Sequence, residues 1–263
     1  DCIAPYTALK LFNENNLLNI NGGYTIASYE KPFISYIGPH GIERNGLYQI
    51  YAAQMNENVY TNLWNGPYWG FEKVLETQEI TDKPLRLKPI NIYYHFYSAS
   101  KYESLNTLKK IYETSLKKEV ILKYTSDYIK TVLDFYNSEM FNYENKWLIT
   151  SNGYIKTIKT KKILKINESV CGYRKINNLT YYHLCSKPPY KLEINDDNDE
   201  IFSQPYLEFS NAEIDYFKKD NNIYLLKLKG YLPIKYKIIN AKKIEEKDYK
   251  EGIHHVKEIK LQK

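Results

Sequence analysis

Residues 7–12, Thr-Ala-Leu-Lys-Leu-Phe, place apolar side chains at helical spacing and give way to the polar run Asn13-Glu14-Asn15-Asn16. That pattern predicts a short amphipathic helix. Residues 17–20 then read as a strand that stops at Asn21-Gly22-Gly23, and 47–52 as a second strand. Residues 70–79 read as a short helix, and the apolar, aromatic run over 90–96 as a third strand. A clear helical period follows over 100–118, where Leu105, Leu108, Ile111, Tyr112 and Leu116 form one stripe. Ser100 is placed to cap that helix, with Glu103 three residues on as in a capping box. Residues 120–122 predict a further strand, and 126–139 a further helix. Strands alternating with helices predict an α/β arrangement, a parallel sheet with helices packed outside it. In such sheets, polar residues just beyond the carboxyl ends of strands face the ligand crevice. That rule singles out Asn19 and Asn21, residues 54–58, and His95.

From Lys146 the pattern changes to short two-periodic segments divided by Asn, Gly, Asp and Pro: 146–149, 154–159, 179–184, 223–228 and 234–239. Ser151-Asn152-Gly153 and residues 219–222 read as hairpin turns. This half predicts an all-β module, an antiparallel sandwich. The chain therefore divides into an α/β domain over 1–145 and a β-sandwich over 146–263. The acidic run over 195–200 lacks the ligand spacing of an EF-hand and reads as a solvated loop.

The 263 residues are 43% hydrophobic, enough for a sizeable core. The 28 tyrosines, joined by abundant Lys, Ile and Asn, fit the codon bias of an AT-rich genome. At particular positions they also suit sugar-binding grooves, because tyrosine joins an apolar body to a polar tip. The net charge of +6 comes from 37 basic against 31 acidic residues, and the lysines alternate with acids, as in KKIEEKDYKEGIHHVKEIK. Such alternation is a solvated face and not a nucleic-acid stripe. Three cysteines, Cys2, Cys171 and Cys185, include no C-x-x-C pair that would hold structural zinc. Cys171 and Cys185 fall on two neighbouring predicted strands, where either a disulfide or two thiols would fit. No apolar run reaches the length of a membrane span. The chain opens at Asp1-Cys2 without a methionine and reads as a portion of a longer protein.

The segment Pro-Ile-Asn-Ile-Tyr-Tyr-His-Phe-Tyr-Ser over 89–98 poses the chemical question. Either His95 is a core imidazole with its ring nitrogens satisfied, or the strand delivers an acid–base group into a pocket. Trp64, Tyr68 and Trp69 flank Gly66-Pro67, a loop signal, so their rings either stack on sugar faces or cap the core. Asn58, Tyr60 and Asn62 alternate, as on one side of an extended segment, so their polar groups either meet sugar hydroxyls or the acetyl oxygen or stabilise the loop by hydrogen bonds. Glu57 is placed as a partner for His95. Asn21 and Gly22-Gly23 form either a tight turn or a close approach to a ligand. Arg86 and Lys88 either attract an anion or anchor the loop to Glu76 and Glu79. Tyr181, Tyr182 and His183 form no catalytic constellation.

Three stretches carry a resemblance. LLNINGG (17–23), NENVYTNLWNGPYWGFEKVLETQEITDKPLRLKPI (56–90) and IYYHFYSASKYESLNTLKKIYE (92–113) together resemble the C-terminal part of the polysaccharide-deacetylase region in Pel-type exopolysaccharide proteins. QPYLEFSNAEIDYF (204–217) and LKGYLPIKYKI (228–238) resemble the β-sandwich that follows it. The resemblance implies a partial (β/α) barrel-like deacetylase portion and a periplasmic or extracytoplasmic place. It also implies a divalent metal, usually zinc, that activates water against an N-acetyl group. An Asp serves as base and a His protonates the departing amine. His95 would take the histidine's role, and Trp64, Tyr60, Asn58, Tyr94, Asn21 and Glu57 would bind substrate.

The family's early Asp-Asp element and its H-x-x-x-H pair have no counterpart, since no two of His40, His95, His183, His254 and His255 are four apart. The expectation is therefore a portion of a metal-dependent polysaccharide N-deacetylase that binds no zinc alone. Its substrate would be an N-acetylhexosamine-containing exopolysaccharide. The rival is a non-catalytic carbohydrate-binding or scaffold module. The expected partners are an acidic or amino-sugar polysaccharide and the export machinery for it, with no nucleic acid and no membrane span.

Overall fold

The computed structural model describes residues 3–23, 25–54, 69–83, 85–195 and 203–263. The chain folds as two units, 1–119 and 120–263.

In the first unit, α1 (Tyr6–Glu14) buries Leu9 and follows Pro5, which has no N–H to leave unsatisfied at a helix start. The predicted strand over 17–20 shortens to β1 (Ile20–Asn21). A hairpin follows, β2 (Gly41–Arg44) against β3 (Leu47–Tyr51), turning on Asn45-Gly46, both with left-handed φ. The order is β1-β3-β2, with β1 parallel and β2 antiparallel to β3. The sheet is therefore mixed, not purely parallel.

Residues 70–79 divide into α2 (Trp69–Glu72) and α3 (Val74–Ile80), and the long helical period becomes α4 (Tyr102–Leu116). Phe71, Val74, Leu108 and Ile111 make the apolar core here, with Leu75 and Ile92 packed against it. The buried face of α4 is Ser104, Leu108, Ile111 and Ser115, so the helix is turned from the predicted stripe and Tyr112 and Leu116 are exposed. Small serines let α4 approach closely, and Ser115 donates to Gln78 on α3 at 3.3 Å. Ser100 does not cap α4. Its hydroxyl turns back to the Tyr97 carbonyl at 2.6 Å, and Lys101 precedes the helix.

Two predicted strands are absent. Residues 120–122 form no ladder, and 89–95 run extended without one before a 3-10 turn at Phe96–Ser100.

The second unit begins with α5 (Thr125–Asn137) and continues in strands: β4 (Glu139–Tyr143), β5 (Lys146–Thr150), β6 (Thr157–Thr160), β7 (Val170–Ile176), β8 (Leu179–Leu184), β9 (Tyr190–Glu193), β10 (Tyr206–Ser210), β11 (Glu213–Asp220), β12 (Ile223–Gly230), β13 (Tyr236–Ile239), β14 (Lys242–Glu251) and β15 (His254–Gln262). They pair antiparallel as β4-β5-β9, β6-β8-β7, β10-β13 and β11-β12-β15-β14. The molecule is thus mixed α and β, mostly small antiparallel sheets, and among the described residues none closes into a barrel. The two-period reading holds best in β12, whose residues alternate half-buried and buried along its whole length. Its buried Tyr224, Leu226 and Leu228 join Leu207, Ile259 and Leu261 in one core. A second core gathers Ile149, Leu164, Val170, Tyr182, Leu184, Tyr190 and Leu192.

The turn over 219–222 closes β11 on β12, with Asn221 in the left-handed region. Ser151-Asn152-Gly153 is no hairpin, because β5 pairs with β4 and β9 while β6 pairs with β8. It crosses between sheets and wraps the buried carboxylate of Asp134. Of the acidic run, residues 196–200 lie outside the described residues.

The lysine-rich end is laced with ion pairs. Lys257 reaches Glu246 at 2.9 Å and Asp248 at 2.6 Å, Lys243 reaches Glu246 at 2.6 Å, and Lys260 reaches Glu245 at 2.5 Å. These contacts hold the Glu246 carboxyl down at about 2: the lysine and Tyr236 hydrogen bonds outweigh its partial burial.

Candidate functional site

The chain leaving β3 passes through buried Ala52 and Ala53 to Gln54, which is 0% exposed. Ala52 donates its N–H to the Asn21 carbonyl at 2.8 Å, holding the exits of the parallel strands β1 and β3 together. Gly23 is needed for this packing, since a Cβ there would lie 2.8 Å from the Ala52 carbonyl oxygen. The close approach is to the protein's own backbone. Asn19 likewise serves β3, donating to the Tyr48 carbonyl at 2.9 Å and accepting from the Ile50 N–H at 3.3 Å. The Asn21 side chain accepts from the next residue's N–H at 2.8 Å.

Gln54 fixes the segment in question. Its amide donates to the Pro89 carbonyl at 2.7 Å and accepts from the Asn91 N–H at 2.6 Å. The Asn91 side chain returns a bond to the Gln54 carbonyl at 3.1 Å. A side-chain amide therefore satisfies the Pro89 carbonyl and the Asn91 N–H, which a neighbouring strand would otherwise take, and among the described residues the run joins no sheet. Ile92 points into the helical core. Ser98 is buried and donates its N–H to the His95 carbonyl at 2.9 Å.

Between these anchors the rings face outward. His95 is exposed, stacked on Tyr97 with ring centres 4.9 Å apart and planes 8° from parallel. Tyr93 meets it edge-on at 5.5 Å. Tyr94 meets Tyr112 edge-on at 6.4 Å. Phe96 is 93% exposed and Tyr102 76%. The expectation that His95 ends a barrel strand is corrected: it lies on an aromatic surface, not in a strand-end crevice. Burying so many rings would need a covering layer, and exposing them costs apolar contact with water. Of the expected groove residues, Tyr94 belongs to this surface and Asn21 lies at the strand exits. Glu57, Asn58, Tyr60 and Trp64 lie outside the described residues, as do Asn62 and Tyr68.

Sequence reasoning passed over Tyr93 and Tyr97. Their i, i+2 spacing about His95 was the available signal, because alternate side chains of an extended run share a side.

A second cluster lies at the same end of the sheet. His40 precedes β2, and its carbonyl accepts from the Tyr51 N–H at 2.8 Å. Burial first, and the nearby Lys88 ammonium second, push the His40 imidazole down to about 4. Lys88 is 4% exposed, and its Nζ has no hydrogen-bond partner among the described residues. Burial lowers its pKa to about 8. The carboxylate expected to anchor Arg86 is corrected too, from Glu76 or Glu79 to Asp82. Arg86 pairs with Asp82 at 3.1 Å, while Glu76 accepts from the Tyr29 N–H at 2.9 Å and Glu79 from the Tyr29 hydroxyl.

An ammonium beside His40 repels a divalent cation, so these residues do not fit the zinc that the resemblance implies. Among the described residues no group of three or more His, Cys, Asp or Glu side chains gathers.

A buried unpaired charge costs stability. Lys88→Met is expected to stabilise the chain by about 2–3 kcal/mol at pH 7, from the depression of the amine's pKa. Below about 8 the native protein carries the full cost of the charge. The cost fades as pH rises toward the ordinary lysine value of 10.5, and the two proteins then converge. Denaturant melts at pH 7 and pH 10 check this, and equal stability at pH 7 refutes it.

Tyr181, Tyr182 and His183 are structural. The Tyr182 hydroxyl accepts from the Leu164 N–H at 2.9 Å, and His183 Nε2 donates to the Glu208 carbonyl at 3.1 Å. No helix among the described residues is long and apolar enough to cross a membrane. No family model, no curated protein and no solved structure matches this chain.

Proposed function

We propose that the chain is a carbohydrate-binding module, recognising an N-acetylhexosamine-containing exopolysaccharide through the surface around His95. One observation carries this reading: the flat His95–Tyr97 stack, both rings exposed, with Tyr93 edge-on to His95. The C–H face of a pyranose is apolar and packs on aromatic rings, while phenol and imidazole tips meet its hydroxyls. Anchoring by Gln54 and Ser98 supports the proposal, because rings held in place lose little freedom on binding. The setting we propose with it is extracytoplasmic, within an exopolysaccharide export system, with a β-sandwich formed by the second unit. That setting rests on the sequence resemblance.

Titration calorimetry with N-acetylglucosamine and N-acetylgalactosamine oligosaccharides tests the proposal. Saturable binding is expected, weakened about tenfold by Tyr97→Ala at about 1.4 kcal/mol for a lost ring contact. Leu122→Ala, remote in sequence and partly exposed, serves as a control and leaves affinity unchanged. No saturable heat, or full affinity in Tyr97→Ala, rejects the reading.

A second reading keeps the chain as part of an N-deacetylase with a partial (β/α) barrel, His95 protonating the departing amine. The parallel pairing of β1 with β3, with Asn21 and Gln54 at their carboxyl ends, supports it. Acetate release from an N-acetylated oligosaccharide, by this chain and by a version extended at its amino end, separates the two.

A further inference from the structure

Cys171 occupies an irregularity in β7. The register with β8 passes from Val170↔Leu184 to Gly172↔His183, so Cys171 is the extra residue of a bulge. Cys185 follows the last residue of β8 and donates its N–H to the Ser169 carbonyl at 3.3 Å. The bulge and this bond set the two cysteines on neighbouring stretches of β7 and β8, on either side of the Val170–Leu184 pair. Cys171 also donates to the His183 carbonyl at 3.6 Å. Both cysteines are unbonded thiols; Cys171 is buried and Cys185 half-buried.

We propose that Cys171 and Cys185 form an oxidation site, at which a small-molecule disulfide such as oxidised glutathione converts the thiol pair to a disulfide joining β7 to β8. The two cysteines lie diagonally across the strand pair, and the bulge turns the Cys171 thiol toward β8, where it reaches the His183 carbonyl. Access assigns the order of events. The half-buried Cys185 loses its proton, and its thiolate attacks one sulfur of the oxidant. That step forms a mixed disulfide and expels one glutathione thiolate. Cys171 then gives up its proton and attacks the Cys185 sulfur, expelling the second glutathione. The protein loses two electrons and two protons, and the oxidant becomes two thiols.

The second step is slow, because burial first and the neighbouring Cys185 second push the Cys171 thiol well above its ordinary value. The mixed disulfide on Cys185 therefore accumulates. The site stands apart from the carbohydrate reading, and neither depends on the other.

Timed exposure of the whole chain to oxidised glutathione, read by intact mass and peptide mapping, tests this. The expected course is a single glutathione adduct on Cys185, then its loss with a peptide pair linked through Cys171 and Cys185. Cys171→Ser is expected to stop at the adduct, and Cys185→Ser to leave Cys171 unmodified while native. A linkage through Cys2 instead, an adduct that never resolves in the native sequence, or two thiols still open to alkylation after exposure overturns the proposal.

Discussion

Gly172→Ala is expected to destabilise the second unit by about 3 kcal/mol or more, the upper end of the cost of overpacking a closed core. Gly172 is buried in β7, and its φ lies outside the left-handed region, so space and not conformation requires glycine. A Cβ built on it would lie 2.6 Å from the Leu207 carbonyl carbon and 2.8 Å from the Leu207 nitrogen. Both atoms belong to backbone, so no side chain can rotate out of the way. Relief requires β10 to move away from β7. Contacts across that joint include Tyr173 stacked on Tyr206 at 4.7 Å and Arg174 over the Phe209 ring at 5.5 Å, and His183 of the neighbouring β8 is bonded to the Glu208 carbonyl. All would be lengthened together. The expected readout is a melting temperature lower by roughly 5–10 °C, from the usual scaling of stability with temperature for a unit of this size. Lys175→Ala, at an exposed position of the same strand, is expected to change little. Equal melting of Gly172→Ala and the native chain would show that β10 does not press on β7.

The second large effect is expected from Asp134→Asn, at about 3–4 kcal/mol, because several charge-assisted hydrogen bonds depend on one carboxylate. Asp134 is 1% exposed, on α5. Its Oδ2 accepts from the Ser151 hydroxyl at 2.7 Å, the Tyr154 N–H at 2.8 Å and the Ile155 N–H at 3.0 Å. Its Oδ1 accepts from the Asn152 N–H at 2.6 Å. Every partner donates, so whichever way an asparagine turns, its NH2 faces a donor. Burial alone would raise the carboxyl's pKa, but the Asn152, Ser151, Ile155 and Tyr154 bonds outweigh it and hold the value below normal. The sign follows. The stabilisation is fully present above the ordinary aspartate value of about 4 and is lost as pH falls below it through the depressed native value. The difference between native chain and Asp134→Asn is therefore largest near neutrality and shrinks toward pH 2. A difference that stays constant over that range would mean the carboxylate's charge contributes nothing.

Where the sequence was legible, local rules carried it. Helix α1, strands β3, β5, β8 and β12 and the hairpin at 220–223 were readable because period and turn residues act over a few positions. Elsewhere a distant partner overruled the local signal. The aromatic run at 90–96 has every mark of a strand, yet Gln54 holds Pro89 and Asn91, from 35 and 37 residues away. Ser151-Asn152-Gly153 has hairpin chemistry, but the Asp134 carboxylate gathers it between two sheets. On α4 the apolar stripe was counted by residue type, while the buried face includes Ser104 and Ser115, since packing there favours small side chains. At the site, Tyr94 and His95 stood out as neighbours in an aromatic run. Their exposure, and the stacking of Tyr97, depended on which side of the run met the helical core.

By itself, then, the amino-acid order carried those helices and strands whose period is local and a cluster of rings around one imidazole, while the passage to successive strands, read at Lys146, begins at Glu139. Only the tertiary structure decided that this imidazole faces outward, that the Lys88 amine is buried without a hydrogen-bond partner among the described residues, and that Cys171 and Cys185 come to neighbouring positions of two strands. The physical reason is range. Spacing and turn chemistry are settled between near neighbours, whereas burial, charge and thiol pairing depend on segments that folding alone brings together.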